Sequence, residues 1–485
     1  MGPLKYTIGN VSMLELQEYR HNMEGLVDVH VRDLQTLPRE AVDEFRLTLM
    51  KDRFSLLKDR ISVLKKMADV QGVSTITSLD DAAPLLFQHT VYKSYPPSLI
   101  ERGNFKALTK WLDQLSAHDL GNVDVDGVQG IDDWLLALQQ QTPVTAIHTT
   151  GTSGRISIIP RTERDTHLLC HSSYAKWEGM PGERDCPLDA RAIRESHPIP
   201  IVHPTYRYGF YAGNRALDYN AKTIGDPSQV YALYDELLSP DVLALTGRVA
   251  AAEARGALDE LEIPEHLIKR FTQNRQRAHD KPKDEAALFD RILENLAGKR
   301  VLMTAVTPIL YPWAQTAVKR GYRNLFSPES WLSSGGGKKG MAIPDDWREV
   351  CAEVFGAEIT GGYGMSELVA VNGRCSHGHY HAPPYLLTFI LDPETGEPLP
   401  RRGTQTGRAA FYDLAVESYW AGFVTGDRVT IHWDGDCPCG RKSEYFEDNI
   451  QRFSELTGGE DKISCAGAPD AQEKAIAFLN QMADA

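Results

Sequence analysis

Long apolar runs are missing from this sequence. No stretch approaches the roughly 18 apolar residues of a membrane span, and the segment MGPLKYTIGNVSMLELQEYR lacks the apolar centre of a signal peptide. Internal repeats and low-complexity tracts are missing as well. We therefore expect a cytoplasmic protein that has no membrane partner.

Positive charge and cysteine are also in short supply. The chain has 52 Lys and Arg against 66 Asp and Glu, a net charge of −14. This balance disfavours nucleic acid as a partner, so an anionic ligand would depend on local donors. Seven cysteines in 485 residues, an odd number, disfavour a disulfide framework; where they cluster, they indicate a metal.

Periodicity predicts an α/β protein. Apolar spacing predicts helix over 38–72 with Gly72 as its end, and a helix-rich, charged region over 228–297. Strands are predicted at 198–202 and 300–306, and alternating strands follow residue 385. An aromatic cluster at 206–211 either lines a flat pocket or packs in the core.

A loop rich in glycine and hydroxyl residues joins two β-prone runs, 144–148 and 155–159. It consists of Thr149, Thr150, Gly151, Thr152, Ser153 and Gly154. Glycines let several N–H groups converge on one oxyanion, and hydroxyls add donors, so we interpret it as a phosphate loop. An ordinary hairpin is the alternative. The Walker pattern GxxxxGK[ST] does not occur.

Three short segments follow in order: GYGMSE at 362–367, TGD at 425–427 and the pair Gly440-Arg441. With the hydroxyl-rich loop they resemble the motifs of the acyl-adenylate-forming superfamily. The resemblance covers roughly residues 80 to 445 and is nearest to the branch of phenylacetate:CoA ligases, acyl-protein synthetases and griseoluteate-biosynthesis adenylating proteins. The family's frequent Pro-Lys after the loop is Ile156-Ser157 here, a departure shared by phenylacetate:CoA ligase-like members. HTVYKSYP at 89–96 is loosely similar to a segment of that branch, and Lys93 is given no catalytic role.

The resemblance implies a set of site residues for ATP and Mg²⁺. Thr150 and the rest of its loop would hold the phosphates, Ser366 would donate to the α-phosphate, and Glu367 would bind Mg²⁺. Tyr363, beside Gly364, would stack on adenine, and Asp427 would bind the ribose with Arg441 next to it. Gly335 and Gly336 would wall the adenine pocket. The alternatives are a plain turn at TGD, a helix cap at Glu367 and a flexible surface loop at 335–336.

Four soft donors form a second group: Cys375, His381, Cys437 and Cys439. Three thiolates and one imidazole are a tetrahedral zinc set, and the CPCGR string resembles the zinc-bearing branch of the phenylacetate:CoA ligase relatives. Such a Zn²⁺ would be structural. His377 and His379 are rival ligands, and free cysteines are the alternative.

The fold implied is a large mixed-sheet N-terminal adenylate-forming domain with a β-rich subdomain and a much reduced C-terminal domain. The predicted divisions are a helical section at 1–140, an α/β core at 141–384, the β-rich part at 385–445 and a reduced segment at 446–485. Typical relatives carry a swinging domain of about a hundred residues after the Gly-Arg pair, which that segment is too short to form. Two candidate roles fall in this segment: a catalytic lysine at Lys462 and an acyl acceptor at Cys465. The alternative is that the segment is a solvated tail.

The function implied is ATP-dependent activation of a carboxylic acid, with an aromatic acid of secondary metabolism favoured. The product would be an acyl-adenylate, whose acyl group passes to a thiol, amine or reductase partner, including a carrier protein or CoA. One alternative is an acyl-CoA or acyl-protein ligase that completes the thioester itself. Another is a non-catalytic nucleotide-binding scaffold, which would not need Glu367. A homodimer is a candidate assembly.

Overall fold

The computed structural model of the chain describes residues 13–29, 31–149, 156–177, 198–261, 263, 265–337, 341–457 and 477. The α-helices of the N-terminal part are Met13–Glu18, Met23–Val27, Val31–Leu34, Arg39–Leu57, Ser62–Gln71, Pro97–Glu101, Phe105–Asp113, Ile131–Gln141 and Glu163–Tyr174. Those that follow are Ala212–Thr223, Pro240–Arg255, Glu265–Leu296, Thr307–Lys319, Trp347–Phe355 and Phe453–Thr457. None of the helices within these ranges has the length and apolar content to cross a membrane.

The helix predicted over 38–72 is confirmed, with one break. It forms as Arg39–Leu57 and Ser62–Gln71, separated by a turn in which Ile61 is buried. Gly72 ends the second helix with φ of 68°, and its N–H bonds to the carbonyls of Ala68 and Asp69. This left-handed C-cap favours glycine, which explains why the helix stops there.

The strands, in chain order, are β1 Phe87–Gln88, β2 Ile147–His148, β3 Ile158–Ile159, β4 Ile199–Gly209, β5 Gly225–Leu238, β6 Leu302–Val306, β7 Trp331–Gly335, β8 Ile359–Tyr363, β9 Asn372–Arg374, β10 Tyr380–His381, β11 Leu386–Leu391, β12 Thr404–Asp413, β13 Gly422–His432, β14 Tyr445–Phe446 and β15 Gln451–Arg452. Over the described residues, one large sheet has the order β11-β12-β13-β14-β10-β9-β8-β7-β6-β4-β5, with β1 and β15 both paired to β13. β2 and β3 form a separate hairpin.

The large sheet is mixed. Strands β5, β4, β6, β7 and β8 run parallel, whereas β9 to β14 pair with one another, and β9 with β8, in antiparallel fashion; β1 pairs with β13 in parallel. The carboxyl ends of parallel strands meet at one edge, which is where sheets of this kind bind ligands. The sheet continues across the predicted boundary at residue 384, and the division of the chain into domains stays a prediction.

The region 228–297 is only partly as predicted. Pro240–Arg255 and Glu265–Leu296 are helical, but residues 228–238 belong to the long strand β5, so the helical prediction was wrong there. The physical reason is pairing with β4, in which Tyr206 lies opposite Tyr234 and Tyr208 opposite Leu237. β4 itself extends well beyond the predicted strand at 198–202.

Gly422 lies opposite Tyr412 where β13 begins. A Cβ atom at Gly422 would lie 1.7 Å from Cε1 of the Tyr412 ring, which is 2% exposed and whose hydroxyl donates to the Ala82 carbonyl. Gly422→Ala should therefore lower the free energy of unfolding by about 1–3 kcal/mol, as measured by urea denaturation. In a Tyr412→Ala background the same change should cost much less; an equal cost in both backgrounds would contradict this steric explanation.

Candidate functional site

The base of the hydroxyl-rich loop is a short hairpin. Ile147 pairs with Ile159 and His148 with Ile158, which confirms the two predicted strands. Thr149 closes the base, because its N–H donates to the Ser157 carbonyl at 3.1 Å and its Oγ1 accepts from the Ser157 N–H at 3.0 Å. The other predicted loop residues, Thr150, Gly151, Thr152, Ser153 and Gly154, lie outside the described residues. Their role in phosphate binding stays a prediction.

A tight turn after β8 carries Ser366 and Glu367 close to this hairpin. Arg161, which is 1% exposed and follows β3, donates from Nη2 to the carbonyls of Ser366, at 2.8 Å, and Leu368. The Tyr419 hydroxyl donates to the Glu367 carbonyl at 3.1 Å. Arg161, at the end of the loop hairpin, therefore holds the backbone on both sides of Glu367 in place.

The same turn is held from its other end by Asp413, the last residue of β12. Its Oδ2 accepts the N–H groups of Val369 at 2.7 Å and Ala370 at 2.6 Å. Burial raises the pKa of Asp413 to about 6. The turn thus joins the loop hairpin to the antiparallel half of the sheet.

The Glu367 carboxyl is half-buried and lies within the electrostatic reach of three cationic side chains. Burial raises its pKa, and the charges of Arg161, Arg452 and Lys93 oppose that rise. Lys93 ends the short 3-10 helix His89–Lys93, and nearby the Tyr95 hydroxyl donates to the Ile156 carbonyl beside the loop. Sequence reasoning gave Lys93 no role; the available signal was its position in HTVYKSYP.

Tyr363 and Asp427 meet directly. The Tyr363 hydroxyl donates to Oδ2 of Asp427 at 3.0 Å, and Arg452 Nε lies 2.9 Å from Oδ1. Burial raises the pKa of Asp427, whereas the Arg452 charge lowers it. The Tyr363 ring packs against Phe411 and Phe446, with centroids 5.8 and 5.5 Å away. TGD is therefore part of a strand and not a free turn, because Thr425 and Asp427 lie within β13.

The position of Arg441 differs from the expectation. It donates from Nη1 to the Cys439 sulfur at 3.5 Å, and the described guanidinium paired with Asp427 belongs to Arg452. The reason is that β15 adds to β13 with Asp427 opposite Arg452, whereas Arg441 lies in the turn after Cys439. No local pattern in the sequence indicated Arg452, because its partner is set by strand pairing.

The glycines expected near adenine lie at the carboxyl edge of the sheet. Gly335 ends β7, and a Cβ there would lie 3.6 Å from the Gly362 carbonyl of β8. Gly336 has φ of 77°, and Gly364 is exposed just after Tyr363. Gly335 and Gly336 therefore lie at the end of β7, the strand next to the one that ends at Tyr363. Lys462 and Cys465 lie outside the described residues.

Cys375, His381, Cys437 and Cys439 come together, with their donor atoms all within 4.8 Å of one another. Cys375 and Cys437 sulfurs are 3.9 Å apart, and the Cys439 sulfur lies 3.4 Å from His381 Nε2. His381 Nδ1 contacts the Ser443 hydroxyl at 3.1 Å, which leaves Nε2 for the cluster. Burial lowers the pKa of His381, which favours the neutral imidazole.

The two rival histidines lie outside the group of four, although His379 is next to it. His377 is exposed, and His379 contacts the Cys437 sulfur through Nδ1 at 3.2 Å while its ring stacks on Tyr445 at 4.5 Å. The four clustered side chains are therefore those that the sequence singled out.

The mixed sheet and helices give the chain the fold of a solved 2-hydroxyisobutyryl-CoA ligase. One similar solved structure is 2-hydroxyisobutyryl-CoA ligase in an open conformation with 2-HIB-AMP and CoA. It is 13% identical, the match covers 92% of this chain and 91% of that chain, and the TM-score is 0.50. The same ligase in its thioesterification state is 13% identical over 86% of this chain and 69% of that chain, again with a TM-score of 0.50. No protein-family model matches the sequence, and no curated protein matches it.

Proposed function

We propose that this protein is an enzyme that activates a carboxylic acid with ATP, forming an acyl-adenylate and releasing pyrophosphate. The observation that carries the proposal is the setting of Glu367. Its carboxyl lies in a turn fixed by Arg161 from the loop hairpin, with the charges of Lys93 and Arg452 nearby. A carboxylate near cationic side chains, on a turn bonded to the base of a hydroxyl-rich loop, suits a polyphosphate and its metal ion.

In this reaction a carboxylate oxygen of the acid bonds to the α-phosphorus, and the bond from that phosphorus to the bridging oxygen of pyrophosphate breaks. Glu367 would hold Mg²⁺, which neutralises charge on the phosphate oxygens when bound. Lys93 and the hydroxyls of the loop would hold the leaving pyrophosphate, and Ser366 would donate to the α-phosphate. The work of these residues is positioning and charge stabilisation, since no proton needs to move.

Asp427 and Tyr363 are proposed to bind the ribose and adenine. Asp427 is 5% exposed and is paired with Arg452, whose side chain is exposed. Ribose hydroxyls would therefore reach the carboxylate only after Arg452 and its segment 451–457 move. The same guanidinium could then contact the nucleotide, a role we assign to Arg452 in place of Arg441.

For the carboxylic acid substrate and the acceptor of its acyl group, we propose an aromatic acid and the thiol of CoA. The resemblance to the phenylacetate:CoA ligase branch and the aromatic run 206–211 favour an aromatic acid. The similar ligase structure contains an acyl-AMP together with CoA, which supports a CoA thiol as acceptor. A carrier protein, a reductase, an amine and self-association are further candidates.

The function is tested by pyrophosphate exchange into ATP with a panel of aromatic and aliphatic acids. Wild-type protein should exchange with at least one acid, and Lys93→Met should lower that rate about 10-fold, because a cation near the leaving group is lost. Lys106→Met, an exposed lysine, is the matched control. ATP binding without exchange for any acid would indicate a non-catalytic scaffold and refute the proposal.

We also propose that Cys375, His381, Cys437 and Cys439 hold a structural Zn²⁺. Tetrahedral zinc with ordinary bond lengths places two sulfurs about 3.8 Å apart and a sulfur and a nitrogen about 3.6 Å apart. The distances of 3.9 and 3.4 Å agree with these values. The Ser443 contact to His381 Nδ1 would orient the ring, as partners of metal-bound histidines do.

Purified protein should contain about one zinc ion per chain, as measured by elemental analysis, because all four donors are already close together. Cys437→Ser should lose the metal and unfold at a lower temperature. Cys351→Ser, a buried cysteine outside the cluster, should keep it. Protein prepared without chelator that contains no zinc would refute this assignment.

A further inference from the structure

The metal cluster joins two chain segments that each lead to the nucleotide site. Cys375 and His381 flank the β9–β10 turn, and β9 pairs with β8 so that Asn372 lies opposite Tyr363. Cys437 and Cys439 follow β13, the strand that contains Asp427. A change at the cluster therefore acts on both strands that bring Tyr363 and Asp427 together.

A short path of contacts connects the cluster to Tyr363. His381 lies opposite Tyr445 in the pairing of β10 with the two-residue strand β14, and His379 stacks on that tyrosine. The next residue, Phe446, packs on the Tyr363 ring at 5.5 Å, and Tyr363 bonds to Asp427. Because β14 has only two residues, its position depends on the elements on either side.

Cys439 differs from the other donors in its access to solvent. Cys375, Cys437 and His381 are at most 5% exposed, whereas Cys439 is half-buried. Arg441 donates from Nη1 to the Cys439 sulfur at 3.5 Å. A small oxidant in solution would therefore reach this sulfur first.

We propose that Cys439 is an oxidation site whose reaction with a hydroperoxide releases the metal and weakens ATP binding. The inference rests on the zinc and nucleotide assignments above. The Cys439 thiolate attacks the peroxide, so that an S–O bond forms, the O–O bond breaks and hydroxide or alkoxide leaves. The Cys375 thiolate then attacks the resulting sulfenic sulfur, forming a disulfide and expelling hydroxide. Two thiolates lose two electrons in total, and one peroxide is reduced.

The geometry permits the second step, since the Cys375 and Cys439 sulfurs belong to the group of atoms within 4.8 Å of one another. A disulfide removes two of the four donors, and a zinc ion held by the remaining two would dissociate. β14 would then lose its support at His381, and the contact of Phe446 with Tyr363 would loosen. The expected consequence is weaker binding of ATP.

The test titrates zinc-loaded protein with hydrogen peroxide. Zinc release is followed with a chromophoric chelator, the disulfide by peptide mass spectrometry, and ATP affinity by calorimetry. Zinc release should accompany a Cys375–Cys439 disulfide and raise the Kd for ATP at least 10-fold, and reductant with added Zn²⁺ should reverse both changes. Zinc retention at stoichiometric peroxide would overturn the inference, as would zinc release that leaves the Kd unchanged.

Two variants test whether Cys439 is the thiol that reacts with peroxide. Cys439→His keeps four donors of types that zinc accepts, so it should retain zinc and resist peroxide. Cys351→Ser, which removes a buried thiol elsewhere, should stay as sensitive as the wild type. Equal sensitivity of Cys439→His and wild type would overturn the assignment of Cys439. Untreated zinc-loaded protein that does not bind ATP would refute the proposed function itself, and this inference with it.

Discussion

Replacing Glu367 by glutamine should reduce the maximal rate of pyrophosphate exchange at least 100-fold. The amide keeps the shape of the side chain but removes the charge that would hold Mg²⁺ against the phosphates. Effects on the order of 10² to 10³ are usual when a group that stabilises transition-state charge is removed. Because this charge matters most as pyrophosphate departs, the rate should fall more than the affinity for ATP.

The measurement is exchange at saturating ATP and acid over a range of Mg²⁺ concentrations. Glu358→Gln, at an exposed carboxylate just before β8, is the matched control and should behave like the wild type. The turn around Glu367 is held through backbone groups, so the variant should fold normally. Unchanged exchange in Glu367→Gln would remove Glu367 from the metal site and leave the proposal without its main support.

Local features of the site were predictable from the sequence. The two strands at the base of the hydroxyl-rich loop follow from β-prone residues on either side of its glycines, and both are confirmed. The Cys375 and Cys437 segments were recognisable because thiol and imidazole at short spacing form metal sites, and the structure brings their donors together.

Contacts between distant segments were not predictable. The pairing of β15 with β13 puts Arg452 on Asp427, and no periodic pattern in so short a strand encodes this choice. β5 was read as part of a helical region because its charged residues, such as Asp235 and Glu236, hide the alternation of an edge strand. Lys93 was given no catalytic role because the similarity of HTVYKSYP is loose; its place near Glu367 comes from the packing of a 3-10 helix between β13 and β3.

Arg161 is the clearest case of a residue that only the structure reveals, and its removal should be costly. Arg161→Met takes away the donor shared by the Ser366 and Leu368 carbonyls and leaves both acceptors without it. Buried groups that lose a partner cost about 1–3 kcal/mol each, so the free energy of unfolding should fall by roughly 2–5 kcal/mol. The measurement is urea denaturation at neutral pH.

The matched control is Arg164→Gln. Arg164 lies on the next helix, is half-buried, pairs with Glu24 and donates from Nη1 to the Ala415 carbonyl at 3.2 Å, so its loss should cost about 1–2 kcal/mol, less than the loss of Arg161. Arg161→Lys should recover part of the stability, because an ammonium can still donate to one carbonyl but lacks the planar fork that spans two. Pyrophosphate exchange by folded Arg161→Lys should remain well below that of Arg164→Gln, since Glu367 depends on the backbone that Arg161 holds. Wild-type stability and exchange in Arg161→Met would show that the turn is fixed by Asp413 and Tyr419 without Arg161.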